Sequence, residues 1–166
     1  NGSHDNNRFS ISGNTLKTSG SFDYEADNSY TIRVKAVSGD DSFEKTFVIS
    51  ITDRNDAPAV ILLTDGVVPE TAAVGTSVGE FTVLDEDVGD THTLSLVNGE
   101  GSDGNALFAI DGSTLVTTGQ FDFETSESHS IRVRATDATG ESVDRVFTIV
   151  VTDVPEGLLV EELVPD

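Results

Sequence analysis

The sequence contains no cysteine, methionine or tryptophan, and its 9 lysine and arginine residues face 30 aspartate and glutamate residues. Without cysteine, disulfide bonds, zinc–thiolate sites and thiol nucleophiles are excluded. The formal net charge of −21 argues against nucleic-acid binding, because that binding depends on lysine and arginine side chains that neutralise phosphates. It also disfavours an anionic membrane surface. The acidic side chains therefore form either a solvated surface or a cation-binding system.

Long apolar runs are missing as well. No stretch approaches the roughly 20 apolar residues of a membrane helix, so we expect no membrane insertion in this segment. The first residues, "NGSHDNNRF", have no signal-peptide pattern, and we expect the chain to be a piece of something larger. Hydrophobic residues still make up 36% of the chain, which is enough for a modest core.

An internal repeat organises the chain. "FSISGNTLKTSGSFDYE" (9–25) matches "FAIDGSTLVTTGQFDFE" (108–124), and "TIRVKAV" (31–37) matches "SIRVRAT" at the same spacing. Near the end, "LLVEELVPD" (158–166) overlays "LLTDGVVPE" (62–70). A spacing of about 100 residues is typical of independent domains rather than of a solenoid. We therefore predict the rear of one repeat at 1–56, a complete repeat at 57–156 and the first strand of a third at 157–166.

The complete repeat has a periodicity of two. Alternating or apolar segments rich in β-branched residues are separated by glycine, aspartate and asparagine, and Asp111-Gly112 marks a hairpin. The pattern predicts about seven strands and no long helix. The predicted fold is all-β, a tandem of immunoglobulin-like Greek-key sandwiches.

Acidic residues gather at the ends of these predicted strands. They form D-x-D in "LDEDVGD", D-x-E in "FDYE" and "FDFE", and further acids in "VPE", "RATD", "TDRNDAP" and "TDVPEG". Ca²⁺ takes six to eight oxygen ligands from several segments, which suits such clusters. The alternative is that these acids only form turns by hydrogen bonding to their own backbone. An EF-hand is excluded, because Leu96 stands where its bidentate glutamate is required.

These motifs, above all "DRNDAP", resemble the calcium motifs of cadherin repeats, in the shorter form of bacterial cadherin-like adhesin domains. The resemblance covers essentially the whole chain. It implies two sets of calcium ligands at the junctions between repeats. The first junction would use Asp23, Glu25, Asp53, Asn55 (by its carbonyl), Asp56, Asp85, Asp87 and Asp137. The second would use Glu70, Asp122, Glu124, Asp153 and Glu156.

The chain departs from that pattern at three places. The linker is one residue shorter than in animal cadherins, with Ala57 where an asparagine ligand is expected. Ser38 stands at the position of Asp137, and "DVPEG" has lost the Asn-Asp core. Ser38 predicts a weaker calcium site before the first repeat, and the altered second linker predicts fewer bound ions at the second junction.

Catalysis has little support in the sequence. His4, His92 and His129 are isolated, and His129 aligns with Tyr30, which indicates a packing or surface role. The carboxylate pairs recur in both repeats, as structural ligands would. We therefore predict that the chain is not an enzyme.

Together these observations predict calcium-rigidified extracellular repeats of a bacterial surface adhesin or filament, with neighbouring repeats or another copy as partners. The competing prediction is a calcium-dependent carbohydrate-binding module that recognises a cell-surface glycan. A glycan-array screen with and without calcium separates the two. The strands of the first repeat are also expected to expose an apolar face, which missing residues or "LLVEELV" of another copy would complete.

Overall fold

The computed structural model describes residues 5–155, and the chain divides into two compact units with the boundary between Asn55 and Asp56. Residues 157–166, predicted to form the first strand of a third repeat, lie outside the described residues.

The first unit contains two antiparallel hairpins. One pairs β1 (Phe9–Ser12) with β2 (Thr15–Thr18), and the other pairs β3 (Ser29–Ser38) with β4 (Asp41–Ser50). Gly39 turns the second hairpin with a φ of +60°, a conformation that glycine adopts without steric cost. The short turn places Ser38 opposite Asp41.

Three rings pack together in the first unit. The centroids of Phe9 and Phe22 lie 5.4 Å apart, and Phe22 meets Tyr30 edge to face at 4.9 Å. Tyr30 is buried as a result. Offset and edge-to-face ring pairs of this kind add stability beyond their area of burial.

The first unit exposes the apolar side chains that the sequence predicted to be open. Ile11 is 59% exposed, Leu16 40% and Val37 66%. Phe43 and Val48 on β4 are exposed to a similar degree. This unit therefore presents an apolar face to solvent.

The second unit is a sandwich of two four-stranded sheets. Its strands are β5 (Val60–Leu63), β6 (Val67–Pro69), β7 (Ser77–Leu84), β8 (Thr93–Leu96), β9 (Phe108–Asp111), β10 (Thr114–Thr117), β11 (Ser128–Thr136) and β12 (Ser142–Thr152). One sheet has the order β5-β7-β10-β9 and the other β6-β12-β11-β8. The immunoglobulin-like β-sandwich predicted from the sequence is confirmed. Gly112, with φ +62°, forms the predicted Asp-Gly hairpin turn between β9 and β10.

The core of the second unit comes from alternate residues of both sheets. Along β11, Ile131, Val133 and Ala135 are fully buried, as strand periodicity requires. Leu115 of β10, in the opposite sheet, and Ile149 of β12, in the same sheet as β11, belong to the same core cluster and have no exposed surface. The apolar alternation seen in the sequence thus supplies both inner faces of the sandwich.

Within residues 56–155 the second unit has eight strands, where the sequence predicted about seven. The additional strand is β6, which pairs in parallel with β12 through Val67, Val68 and Pro69. The chain leaves β5 of one sheet at Leu63 and joins the other sheet at Val67. Because the carbonyl of Gly66 accepts a hydrogen bond from Val150 N–H at 2.7 Å, the crossing is fixed by the backbone.

An ion-pair cluster ties β11 to β12 on the outer face. The Asp144 carboxylate accepts hydrogen bonds from Arg132 Nη2 at 2.9 Å and from Arg134 Nε at 2.6 Å. The Arg134 hydrogen bond, together with that of Arg132, outweighs burial and lowers the pKa of Asp144 to about 2. The folded state therefore favours the ionised carboxylate.

We expect the Asp144→Asn substitution to lower the free energy of unfolding at neutral pH by roughly 1 kcal/mol, because Arg134 remains partly in solvent and its pairing is screened. The pKa of Asp144 is lowered on folding from 3.8, so its stabilisation is present above about pH 4 and is lost as the pH falls towards 2. Urea unfolding between pH 2 and 7 measures both effects. Asp103→Asn, at an exposed acid of the same unit, is the control. Equal acid sensitivity of parent and Asp144→Asn would contradict the assignment.

Candidate metal centre

Three carboxylates converge at one end of the second unit. Glu70 directly follows β6, while Asp122 and Glu124 lie in the turn between β10 and β11. Each residue offers a ligand atom, and these atoms lie within 4.8 Å of one another. Oxygens on opposite sides of a Ca²⁺ ion are about 4.6–5.2 Å apart, given bond lengths of 2.3–2.6 Å. The group therefore fits around one calcium ion.

Backbone hydrogen bonds orient the Glu70 side chain. Its Oε2 accepts the N–H of Phe123 at 2.9 Å, and its Oε1 accepts the N–H of Val154 at 2.6 Å. Glu70 thereby joins the turn that carries Asp122 and Glu124 to the segment after β12. Hydrogen bonds that fix a ligating carboxylate are a feature of metal sites, because they hold the oxygens in place before the ion arrives.

The same turn recurs in both units. Asp122 Oδ1 accepts the N–H of Thr125 at 2.9 Å, and Asp23 Oδ1 accepts the N–H of Ala26 at 2.9 Å. One carboxylate oxygen therefore shapes the turn in each repeat. The turn-forming role and the ligand role proposed from the sequence use the same residue without conflict, since a carboxylate has two oxygens.

The other end of the second unit holds another part of the predicted set. Asp87 Oδ2 accepts the N–H of Asp56 at 2.8 Å, and Asp87 N–H donates to Asp85 Oδ1 at 3.1 Å. These contacts connect the residue at the start of the unit to the loop after β7. The predicted ligands Asp56, Asp85 and Asp87 are thus linked by hydrogen bonds.

Asp137 is the most buried of the predicted ligands, with 7% of its surface exposed. Its Oδ1 accepts the N–H groups of Thr139, Gly140 and Glu141 at 2.7–2.9 Å, and also the Thr139 hydroxyl at 3.0 Å. This single oxygen closes the loop between β11 and β12. In the first unit that loop is replaced by the tight Gly39 hairpin, where Ser38 has no carboxylate to offer.

The remaining predicted ligands lie in the first unit or follow β12. Asp23, Glu25 and Asp53 are exposed residues of the first unit, and Asn55 is half-buried there. Asp153 is exposed just after β12. Glu156 lies outside the described residues.

The isolation predicted for His92 is wrong. His92 stands immediately before β8, and its Nε2 lies 2.6 Å from Asp85 Oδ2. The His92 hydrogen bond is the main reason that the pKa of Asp85 lies below its usual value, with burial opposing it. Asp90 joins the same group. Asp90 and His92 were not among the predicted ligands, because the repeat comparison, which pairs 9–25 with 108–124, does not cover the segment that carries them.

His129 behaves as its alignment with Tyr30 predicts. Its ring centroid lies 5.7 Å from that of Phe121, which in turn lies 5.5 Å from Phe108. The three-ring cluster of the first unit is thereby repeated, with histidine in place of tyrosine.

Within residues 5–155, no helix is long and apolar enough to cross a membrane.

Comparison with known proteins identifies the fold and the family. Residues 64–152 match the family model of the cadherin domain. The chain is 32% identical over 115 residues to cadherin-5 of Gallus gallus, covering 65% of this chain and 15% of that protein. It is 31% identical over 152 residues to protocadherin Fat 2 of Mus musculus, covering 84% of this chain and 4% of that protein. The chain thus spans a small part of either relative.

Solved structures of cadherin extracellular domains have the same fold as this chain. Domains EC1-2 of human protocadherin-24 superimpose with a TM-score of 0.72 at 22% identity, covering 93% of this chain and 80% of that one. The extracellular domain of protocadherin GammaB4 superimposes with a TM-score of 0.61 at 28% identity, covering 92% of this chain and 25% of that one. Since the cadherin-domain model matches more than half of the residues, the chain belongs to the cadherin family.

Proposed function

We propose that this chain is part of a calcium-rigidified extracellular adhesin or spacer, in which Ca²⁺ binds the carboxylates at the ends of each cadherin repeat. Cadherin domains are extracellular adhesion modules and not enzymes. The calcium dependence and the bacterial surface context are the proposed part. The bacterial surface context is inferred from the linker "DRNDAP", which is one residue shorter than the linker of animal cadherins.

The observation that carries the proposal is the convergence of Glu70, Asp122 and Glu124, here called the Glu70 group. Glu70 has both oxygens oriented by backbone N–H groups, and Asp122 and Glu124 are brought within 4.8 Å although like charges repel. Three carboxylates held this close are unfavourable without a cation, because each raises the electrostatic energy of the others. A bound Ca²⁺ ion would replace this repulsion among the carboxylates with attraction between each carboxylate and the ion. All its ligands would be oxygens, as Ca²⁺ prefers.

The charge of the whole chain supports the same conclusion. A formal net charge of −21 on 166 residues opposes the compact state through self-repulsion. Divalent cations that bind the folded state offset this repulsion. Ca²⁺ would then serve both the rigidity of the repeats and their stability.

We expect Glu124→Gln to weaken calcium binding at the Glu70 group by about tenfold or more, the loss typical when a group that supports a metal site is removed. The parent is expected to bind at roughly 10⁻⁴–10⁻³ M, as extracellular modules do. Calorimetric titration of chelator-treated protein with CaCl₂ measures the affinity and the number of ions. Glu124 is exposed, so the substitution leaves the core intact.

The matched control is Asp103→Asn, which removes one exposed carboxylate from the same unit and lies in none of the clusters of potential ligands. It should titrate like the parent. If Glu124→Gln and Asp103→Asn both bind calcium with the affinity of the parent, then Glu70, Asp122 and Glu124 only form turns and do not bind calcium.

A further inference from the structure

A second group of potential ligands differs in chemistry from the carboxylate clusters. Asp85, Asp90 and His92 lie in and beside the loop between β7 and β8, and their ligand atoms lie within 4.8 Å of one another. The side chains of Asp85 and His92 are only 4% and 13% exposed. All three residues belong to the second unit. The group is therefore a partly buried combination of two carboxylates and one imidazole.

Asp90 supplies an independent sign that something binds here. Its Oδ1 accepts the N–H of Thr91 at 2.7 Å, and its backbone N–H donates to the carbonyl of Asp87 at 3.2 Å. Its Oδ2 is buried and has no hydrogen-bond partner among the described residues. A buried carboxylate oxygen is costly unless a hydrogen bond or a metal satisfies it. The loop thus holds in place one acceptor that no residue between 5 and 155 satisfies.

We propose that Asp85, Asp90 and His92 form a binding site for a transition-metal dication of the zinc class. Ca²⁺ takes oxygen ligands, whereas imidazole suits Zn²⁺ and its neighbours. Zn²⁺ is held by histidine nitrogen and carboxylate oxygen at 2.0–2.2 Å in a tetrahedral arrangement. Three protein ligands leave the fourth position to water. The site goes beyond the calcium proposal, and it shares Asp85 with the ligands predicted there for Ca²⁺.

The hydrogen bond between His92 and Asp85 defines what metal binding must change. A metal needs the lone pair of Nε2, so the metal-binding form of His92 is the neutral tautomer that carries its proton on Nδ1. In that tautomer Nε2 and Asp85 Oδ2 both face the ion as acceptors. The present 2.6 Å contact brings these two atoms together on one side of the site. A small separation then admits the ion between them.

The test is a titration of the chelator-treated 166-residue chain with Co²⁺, whose visible absorption reports tetrahedral nitrogen and oxygen ligands, followed by Zn²⁺ competition. We expect one such site in the parent. His92→Gln and Asp90→Asn should each weaken it by tenfold or more, since each removes a ligand at nearly constant volume. His129→Gln is the matched control, because His129 packs against Phe121 in the same unit.

The outcomes are distinct. Loss of the cobalt band in His92→Gln and its retention in His129→Gln support the site. An absent band in the parent, or equal binding by the parent and His92→Gln, overturns it. A calcium titration of His92→Gln separates this proposal from the previous one. If the substitution weakens Ca²⁺ and not Zn²⁺ binding, His92 supports a calcium ligand and the zinc-class site is refuted.

Discussion

Calcium at about 10 mM is expected to raise the Tm of the chain by roughly 10 °C or more over the chelated protein. A ligand at 100 times its Kd stabilises the folded state by about 2.7 kcal/mol, and 10 mM corresponds to that ratio for a Kd near 10⁻⁴ M. One kcal/mol shifts the Tm of a domain of 60–100 residues by about 4–8 °C. The physical source is the relief of repulsion among carboxylates such as Glu70, Asp122 and Glu124. Scanning calorimetry in EDTA and in CaCl₂ measures the shift.

Magnesium and sodium chloride at matched ionic strength are the controls. Screening alone raises the Tm equally for all three salts, because the Debye length depends only on ionic strength. Mg²⁺ demands octahedral geometry at 2.0–2.1 Å and keeps its waters, so it should stabilise the chain less than Ca²⁺. Equal shifts with all three salts would show that the acids form a general anionic surface and no specific site.

The fold was predictable because, in each strand, alternate residues are apolar and alternate residues face the core. The alternation of Ile131, Val133 and Ala135 predicts the inner face of β11, and each of these residues is fully buried. The strand β6 escaped prediction because it spans only Val67–Pro69 and does not alternate. Its existence depends on the partner β12, and such long-range pairing leaves little trace in three residues.

The candidate metal centre was predictable in part. The positions of Glu70, Asp122 and Glu124 at strand ends predicted carboxylates that meet, and the structure brings these three together. The prediction that they bind calcium remains to be tested. Asp90 and His92 were not found, because their importance depends on how the β7–β8 loop folds back on Asp85. A signal existed in the spacing of the two acids and the histidine within "DEDVGDTH", but a loop imposes no fixed period from which a contact follows.

The two repeats offer a matched test of what holds the second unit together. Leu115 and Leu16 occupy equivalent positions in the repeat, yet Leu115 is fully buried and Leu16 is 40% exposed. We expect Leu115→Ala to lower the free energy of unfolding by about 2–5 kcal/mol, because it removes buried methyl groups and leaves a cavity. Leu16→Ala should cost well under half as much, since its side chain already contacts solvent.

Hydrogen exchange at peptide resolution measures the two variants separately, because exchange from β10 and β11 reports the second unit and exchange from β3 reports the first. Leu115→Ala should speed exchange throughout the strands that meet at Ile131 and Ile149, which share its core cluster. Tyrosine fluorescence adds an independent probe, since both tyrosines of the chain, Tyr24 and Tyr30, lie in the first unit. If the two alanine variants are destabilised equally, Leu16 is covered in solution, and the exposed apolar face of the first unit is occupied by another segment or copy. If neither is destabilised, the cluster around Leu115 does not carry the stability of the sandwich, and the packing derived from alternate strand residues is wrong.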